Sequence, residues 1–241
     1  MLYLDHAATS PVRPEVLEAM TPYLTGTFGN PSSHHTVGEE AARALDDARA
    51  RVARVLGFRA GDIVFTSGGT EANNLAVKGI VLASGRRHLV TTPIEHESIL
   101  ESAAYLRRFH DVEVTLLPVD ATGRVSPDDV AAALRPDTAL VSIGHANNEI
   151  GTVQDAATIT ATLAAGTDAG GARSRVPLHL DAVQSAGWLP LAGLGADALS
   201  IAGHKLGAPK GIGALAVRSR VPVEPLLHGG GQERGRRSGT E

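Results

Sequence analysis

IVFTSGGTEANNLA, residues 63–76, runs from an apolar strand (63–66) through a serine–glycine turn into a helix that starts near Glu71 and reaches about Ala83. The rest of the chain repeats this strand–turn–helix step. Strands are expected at 88–92, 112–118, 139–144, 177–183, 198–203 and 212–217. Helices are expected at 14–24, from Ser32 or Ser33 to about Leu56, at 96–109, after Ser126 and at 155–165. The longest carries Val37, Ala41, Ala44, Leu45, Ala48, Val52 and Val55 at helical spacing. Ser126-Pro127-Asp128-Asp129 supplies an N-cap, a proline at the first helical position and acids in the first turn. Strands alternating with helices of about 10–15 residues predict an α/β fold with a mostly parallel sheet flanked by helices. Strands that are apolar throughout are buried on both faces. GTDAGGARSR (166–175) reads as a mobile surface loop. HGGGQERGRRSGTE (228–241) lacks hydrophobic periodicity and reads either as a disordered tail or as the start of something that continues.

The composition narrows the function. A chain of 241 residues predicts one large domain. It contains no cysteine, so it supplies no disulfide, thiolate metal site or thiol nucleophile. The balance of 26 acidic against 22 basic residues argues against binding nucleic acid or an anionic membrane. No basic segment precedes an apolar run at the N-terminus, and no apolar run approaches a membrane span, so a cytoplasmic location is expected. Only three of the 22 basic residues are lysines (Lys78, Lys205 and Lys210), which limits the candidates for chemistry that needs an amine.

Ligands of open parallel α/β sheets bind beyond the carboxyl ends of the strands. After 63–66 come Ser67-Gly68-Gly69-Thr70, a candidate phosphate cradle at a helix start. Alone, the same residues also suit a glycine turn with a threonine cap. Glu95 and His96 follow 88–92, His145 to Glu149 follow 139–144, Asp181 and then Gln184 follow 177–180, and His204-Lys205 follow 198–203. A single ionisable group at a strand end is usually a cap; five sets at one edge point to a ligand. A phosphate cradle, a lysine amine and an aspartate together fit pyridoxal phosphate, whose aldehyde bonds to lysine and whose ring nitrogen holds its proton beside a carboxylate. Lys205 lies in an apolar, glycine-flanked segment where desolvation favours the neutral amine. Lys78 reads as solvent-facing on a helix, and Lys210 as a turn residue. A rival metal site from His145, His179, Asp181 and His204 lacks any ligand-spaced pair, so no metal is expected.

LDHAATSP (4–11), FGNPSSHH (28–35), IVFTSGGTEANNLA (63–76), IEHES (94–98), NNEIGTVQD (147–155), HLDAVQS (179–185), GHKLGAPKGIGAL (203–215) and HGGGQERGRRSGTE (228–241) also stand in an order that resembles the cysteine desulfurases. These are pyridoxal phosphate enzymes of the fold-type I, class V aminotransferase group. The resemblance implies a seven-strand large domain and assigns roles. Lys205 is similar to the lysine that bonds the cofactor and shuttles a proton, and Asp181 to the partner of the ring nitrogen. His96 is similar to the catalytic residue that stacks on the ring and helps with proton transfer, and Gln184 to a donor to the ring oxygen. Asn148 is similar to a contact to that oxygen or to the substrate carboxylate. Gly69, Thr70 and His204 are similar to phosphate ligands, and Thr240 to a phosphate ligand donated across a homodimer interface. The implied reaction converts L-cysteine to L-alanine and passes sulfur to an acceptor or scaffold protein for iron–sulfur cluster or thio-cofactor assembly.

Two departures stand out. Ala202 occupies a place where the family usually has a phosphate-binding serine, which weakens the expected hold on the cofactor. The family also continues past SGTE into a smaller domain that carries its nucleophilic cysteine. The resemblance therefore makes residues 1–13 a segment of that small domain, residues 14–241 the cofactor-binding domain, and the C-terminal small domain absent. It predicts exposed apolar surface near the N-terminus, and weak cofactor binding without desulfuration by these residues alone. Two alternatives stand beside it: another class V reaction, of selenocysteine lyase or aminotransferase type, and a noncatalytic cofactor-binding or scaffold fragment.

Overall fold

The computed structural model describes residues 2–165 and 175–241. The loop expected at 166–175 lies, except for Arg175, outside the described residues. Among the described residues seven strands form one sheet: β1 (Ile63–Thr66), β2 (His88–Thr91), β3 (Glu113–Leu116), β4 (Thr138–Gly144), β5 (Leu178–Asp181), β6 (Ala198–Ala202) and β7 (Gly213–Val217). Their order is β1-β7-β6-β5-β4-β2-β3. Only β7 runs against its neighbours β1 and β6; the other four pairings are parallel. The remaining six strands therefore end at one edge.

The helices are α1 (Pro14–Thr25), α2 (Thr36–Leu56), α3 (Gly69–Asn74), α4 (Ile80–Ser84), α5 (Glu97–His110), α6 (Pro127–Ala133) and α7 (Ala156–Ala165). Alternate residues of the strands serve opposite faces. Val64, Leu89, Leu140 and Leu215 pack with α3, α4 and α5, while Val90 and Val141 join the core under α6 and α7. Ile63, Leu199 and Ala216 pack against Ala53 and Leu56 of α2. The buried strands match the near-continuous apolar runs of the sequence. Ser126 caps α6, accepting from the Asp128 N–H at 3.2 Å, with Pro127 at the first position.

Several local expectations are corrected. The cap of α2 is His35, whose Nδ1 accepts from the Gly38 N–H at 3.2 Å, rather than Ser32 or Ser33. The buried stripe of α2 contains Gly38, Ala41, Arg49, Ala53 and Leu56, whereas Val37 and Val55 are exposed. Arg49 is drawn inside by Glu233, which it binds through both terminal nitrogens at 2.6 and 2.9 Å. The expected helix from Glu71 begins earlier, at Gly69, and passes from α3 to α4 through one π turn (Leu75–Gly79). There the Gly79 carbonyl accepts from the Glu224 N–H at 2.9 Å, and a Cβ on Gly79 would meet the Glu224 carbonyl at 2.8 Å. Lys78 is half-buried with its ammonium 4.4 Å from the Tyr105 ring centre, rather than facing solvent.

Residues 228–241 are ordered by their own chain. A 3-10 turn (Gln232–Gly235) places Glu233 against Arg49 and the Phe65 N–H, with Glu233 and Arg234 both in the left-handed region (φ +46° and +59°). Arg237 binds Glu71, and the Glu241 carboxylate accepts from the Glu233 N–H. These polar anchors come from segments distant in sequence, so periodicity does not reveal them.

Candidate active site

At the shared edge, residues following β1, β2, β4, β5 and β6 line a cavity of about 640 Å³. The turn after β1 needs its glycines. Gly68 has φ +157° and ψ −178°, a region essentially reserved for glycine. A Cβ on Gly69 would meet Val183 Cγ2 at 2.8 Å and Ala202 Cβ at 3.2 Å. The first N–H groups of the helix lack acceptors within it, and exposed Thr70 stands at the same rim. This is an anion site in form. The neighbouring Glu71 carboxylate is occupied by the Ser67 N–H at 2.7 Å and Arg237 Nε at 2.9 Å. Burial pushes Glu71 up, but the hydrogen bonds from Arg237 and Ser67 outweigh it and hold the group below the usual carboxylate range.

Asp181 ends β5 and is 8% exposed, facing the cavity. Its Oδ1 accepts from the Val183 N–H at 2.9 Å and its Oδ2 from Asn73 Nδ2 at 2.7 Å. Burial raises its carboxyl, while those two hydrogen bonds and the nearby charges of His96 and Lys205 pull it back. Among the described residues its hydrogen-bond donors are neutral. A buried carboxylate held only by neutral donors is the partner that a cationic ring N–H requires.

Lys205 follows β6 on a 3-10 turn (Gly203–Lys205). Its ammonium donates to the Ala7 carbonyl, and Gln184 Nε2 donates to the same oxygen at 2.8 Å. Lys205 and Gln184 thus converge on one acceptor. Burial lowers the proton affinity of Lys205, with the charges of Asp5 and Asp181 acting against it. His204 Nδ1 shares a hydrogen bond with Thr9 Oγ1 at 3.1 Å, and its carbonyl accepts from the Ser10 N–H and hydroxyl at 2.9 and 2.7 Å. Residues 7–13 therefore lie along the lysine turn, while Leu2 and Leu4 are exposed.

His96 caps α5, its Nδ1 accepting from the Ser98 N–H at 3.0 Å. Asn147 is used locally: its Oδ1 accepts from the Glu149 and Ile150 N–H groups, which leaves exposed Asn148 at the cavity rim. The cavity brings together Gly69, Thr70, His96, Asn148, Asp181, Gln184, His204 and Lys205. Thr240 is exposed on the tail and does not line it. The rival metal set is differently employed. His179 has Ser142 and Ser200 hydroxyls at 2.9 Å on its two ring nitrogens, and burial pushes its imidazole down to about 3. His145 Nδ1 is paired with Ser185 at 2.9 Å. Among the described residues no cluster of His, Asp or Glu is arranged for a metal ion.

Glu95 follows β2 beside His96, and the sequence assigns it no role of its own. It lines the cavity, accepts from Thr92 Oγ1 at 2.6 Å and lies 3.1 Å from where a Cβ on Gly144 would stand. Burial pushes its carboxyl up to about 7; hydrogen bonds from Thr92 and the Gly144 N–H oppose this, and the Asp181 charge adds to it. A carboxyl with a raised folded-state pKa is stabilising below its unfolded value, and that stability is lost as pH rises through the folded value. Glu95→Gln is expected to match the parent near pH 4.5 and to exceed it by roughly 1–3 kcal/mol at pH 8, read by urea unfolding at each pH. Asn73 was also missed. Its only sequence signal is a polar residue four positions after Gly69, beside Ala72 on the buried side of α3.

The sequence profile of the family described as Aminotransferase class-V matches residues 2–237. The chain is 46% identical over 244 residues to a cysteine desulfurase IscS of Dictyoglomus turgidum, covering 100% of this chain and 60% of the relative. It is 45% identical over 249 residues to an IscS-like cysteine desulfurase of Mycobacterium tuberculosis, covering 100% of this chain and 61% of that one. Among solved structures, a NifS-like protein superposes with TM-score 0.92 at 39% identity, covering 100% of this chain and 65% of that chain. SspA in complex with cysteine superposes with TM-score 0.92 at 40% identity, covering 100% and 69%. The chain thus spans about 60% of the length of the curated relatives it matches. No described helix is long and apolar enough to cross a membrane.

Proposed function

We propose, from the premise that this chain belongs to the class-V aminotransferase family, that it is the cofactor-binding part of a cysteine desulfurase, acting on L-cysteine to give L-alanine and transferable sulfur. Pyridoxal phosphate is the cofactor of this family. The carrying observation is the meeting of buried Asp181, Lys205 and the glycine-built helix start in one cavity. The likeness to desulfurases at about 45% identity supports the same reading.

When bound, the cofactor supplies an electron-withdrawing ring that stabilises negative charge on the substrate Cα. The chain's residues do the rest. Gly69, Thr70 and His204 hold the phosphate, joined by Thr240 of a second copy in a homodimer. Asp181 accepts the hydrogen bond of the ring nitrogen and keeps its proton there. Gln184 Nε2 turns from the Ala7 carbonyl to the ring oxygen, and the Asn148 amide from the Glu149 carboxylate to that oxygen or to the substrate carboxylate. His96 covers the ring. Lys205 Nζ, with its proton affinity lowered by burial, is nucleophile and base at one atom. The chain has no cysteine, so the thiol that receives sulfur comes from outside these residues. A sulfur-accepting protein and a cytoplasmic location belong to the same proposal, as does the division into residues 1–13, which go with a smaller domain, and a cofactor-binding unit, 14–241.

The test is hydrogen exchange in D2O with pyridoxal phosphate and L-cysteine. Deuterium is expected at the cysteine Cα with the parent chain and not with Lys205→Ala. With a protein thiol added, alanine is the expected product. Pyruvate as main product points to a lyase, and no exchange above the Lys205→Ala background overturns the reading.

A further inference from the structure

Asn73 lies on α3 and is 2% exposed. Its Nδ2 donates to Asp181 Oδ2 at 2.7 Å and to Ser98 Oγ at 2.9 Å. The amide orientation is dictated by this pair, because a reversed amide would put Oδ1 against a carboxylate oxygen. Both amide protons are used, while Oδ1 is buried without a hydrogen-bond partner among the described residues. Ser98 Oγ accepts from Asn73, so its own proton is available to His96 Nδ1 at 2.8 Å. The Ser98 N–H reaches the same nitrogen at 3.0 Å. With two donors directed at Nδ1, the neutral imidazole carries its proton on Nε2.

We infer that Asn73 is a positioning residue that sets two cavity groups at once, Asp181 directly and His96 through the Ser98 hydroxyl. Asn73 stands one helical turn beyond Gly69, so the helix that begins at the phosphate cradle also fixes the carboxylate meant for the ring nitrogen and the tautomer of the histidine. One rigid element thereby keeps the three in register. The inference rests on the reading above, in which Asp181 and His96 serve one bound ring. The hydrogen-bond chain itself is a property of the chain without cofactor.

Two measurements separate the inference from that reading. The first is ring-nitrogen NMR of His96 in the cofactor-free full chain, assigned with His96→Asn, for the parent, Asn73→Ala, Ser98→Ala and the double variant. The parent is expected to show the Nε2–H tautomer. Asn73→Ala is expected to shift the Nδ1 signal because Ser98 is free to turn its hydroxyl. In the Ser98→Ala background the same change is expected to leave the signal where Ser98→Ala put it. The second measurement is pyridoxal phosphate affinity. Asn73→Ala removes a hydrogen bond to a charged group and is expected to weaken binding at least about 10-fold, with or without Ser98. Ser98→Ala is expected to cost much less. An Nδ1 signal unmoved by Asn73→Ala, or moved equally without Ser98, overturns the relay; unchanged affinity in Asn73→Ala overturns the hold on Asp181. If Asn73→Ala does not fold, Ser98→Ala alone decides: an unmoved Nδ1 signal, or an affinity loss as large as 10-fold, overturns the inference. If the parent itself binds no pyridoxal phosphate, the proposed function fails and the NMR result still decides the relay.

Discussion

Asp181→Asn is expected to weaken pyridoxal phosphate binding by two to three powers of ten or more while leaving the cofactor-free chain folded. The carboxylate sits at the end of a central strand, 8% exposed, with burial pushing its proton affinity up and only neutral hydrogen-bond donors on its oxygens. Such a charge is costly alone and strongly favourable beside a cationic ring N–H. Removing one partner of a buried ion pair costs roughly 3–5 kcal/mol. Asparagine keeps the shape and discards the charge, so the loss falls on binding and not on the core. The cofactor-free variant should unfold near the parent midpoint, because removal of the buried charge offsets the one acceptor that Val183 N–H or Asn73 loses. An absorbance titration with pyridoxal phosphate measures the first effect and thermal unfolding the second. Near-parent affinity would mean that Asp181 does not partner the ring nitrogen.

The second large effect is structural. Arg49→Ala is expected to lower unfolding free energy by roughly 3–5 kcal/mol, less whatever the tail regains by leaving its site. Arg49 is 3% exposed on α2, donates to Glu233 and to the Ile63 carbonyl at 3.0 Å, and lies 4.8 Å from the Phe65 ring centre. Without it, the Glu233 carboxylate remains buried with the Phe65 N–H as its one remaining donor among the described residues. Glu233 and Arg234 hold left-handed backbone that the ion pair helps to maintain. Residues 228–241 should become sensitive to protease in this variant. Arg49→Ala/Glu233→Ala should recover part of the loss, since no lone charge is left inside. A single variant as stable as the parent, with its tail intact, would show that the pair does not anchor the tail.

These two residues also mark what the sequence could and could not reveal. Asp181 and Lys205 were legible because an apolar strand ending in an ionisable group announces itself, and because parallel strands share an edge. The same logic picked out the turn at Gly68 and Gly69. Arg49 was not legible: a charged residue on a helix reads as solvent-facing until its partner, 184 positions away, is brought to it. The order of the tail was hidden for the same reason. The His35 cap was missed because two serines stood at equally plausible places. Asn73 was obscured because its hydrogen bonds reach β5 and α5, which only the assembled sheet brings to α3.

Covalent labelling shows whether this cavity is built around Lys205 for pyridoxal phosphate. The full chain would be mixed with pyridoxal phosphate, reduced with borohydride and mapped by peptide mass. One phosphopyridoxyl group is expected, on Lys205, lost in Lys205→Ala and diminished in Asp181→Asn. Label distributed over Lys78 and Lys210, or equal label in Lys205→Ala, would contradict it.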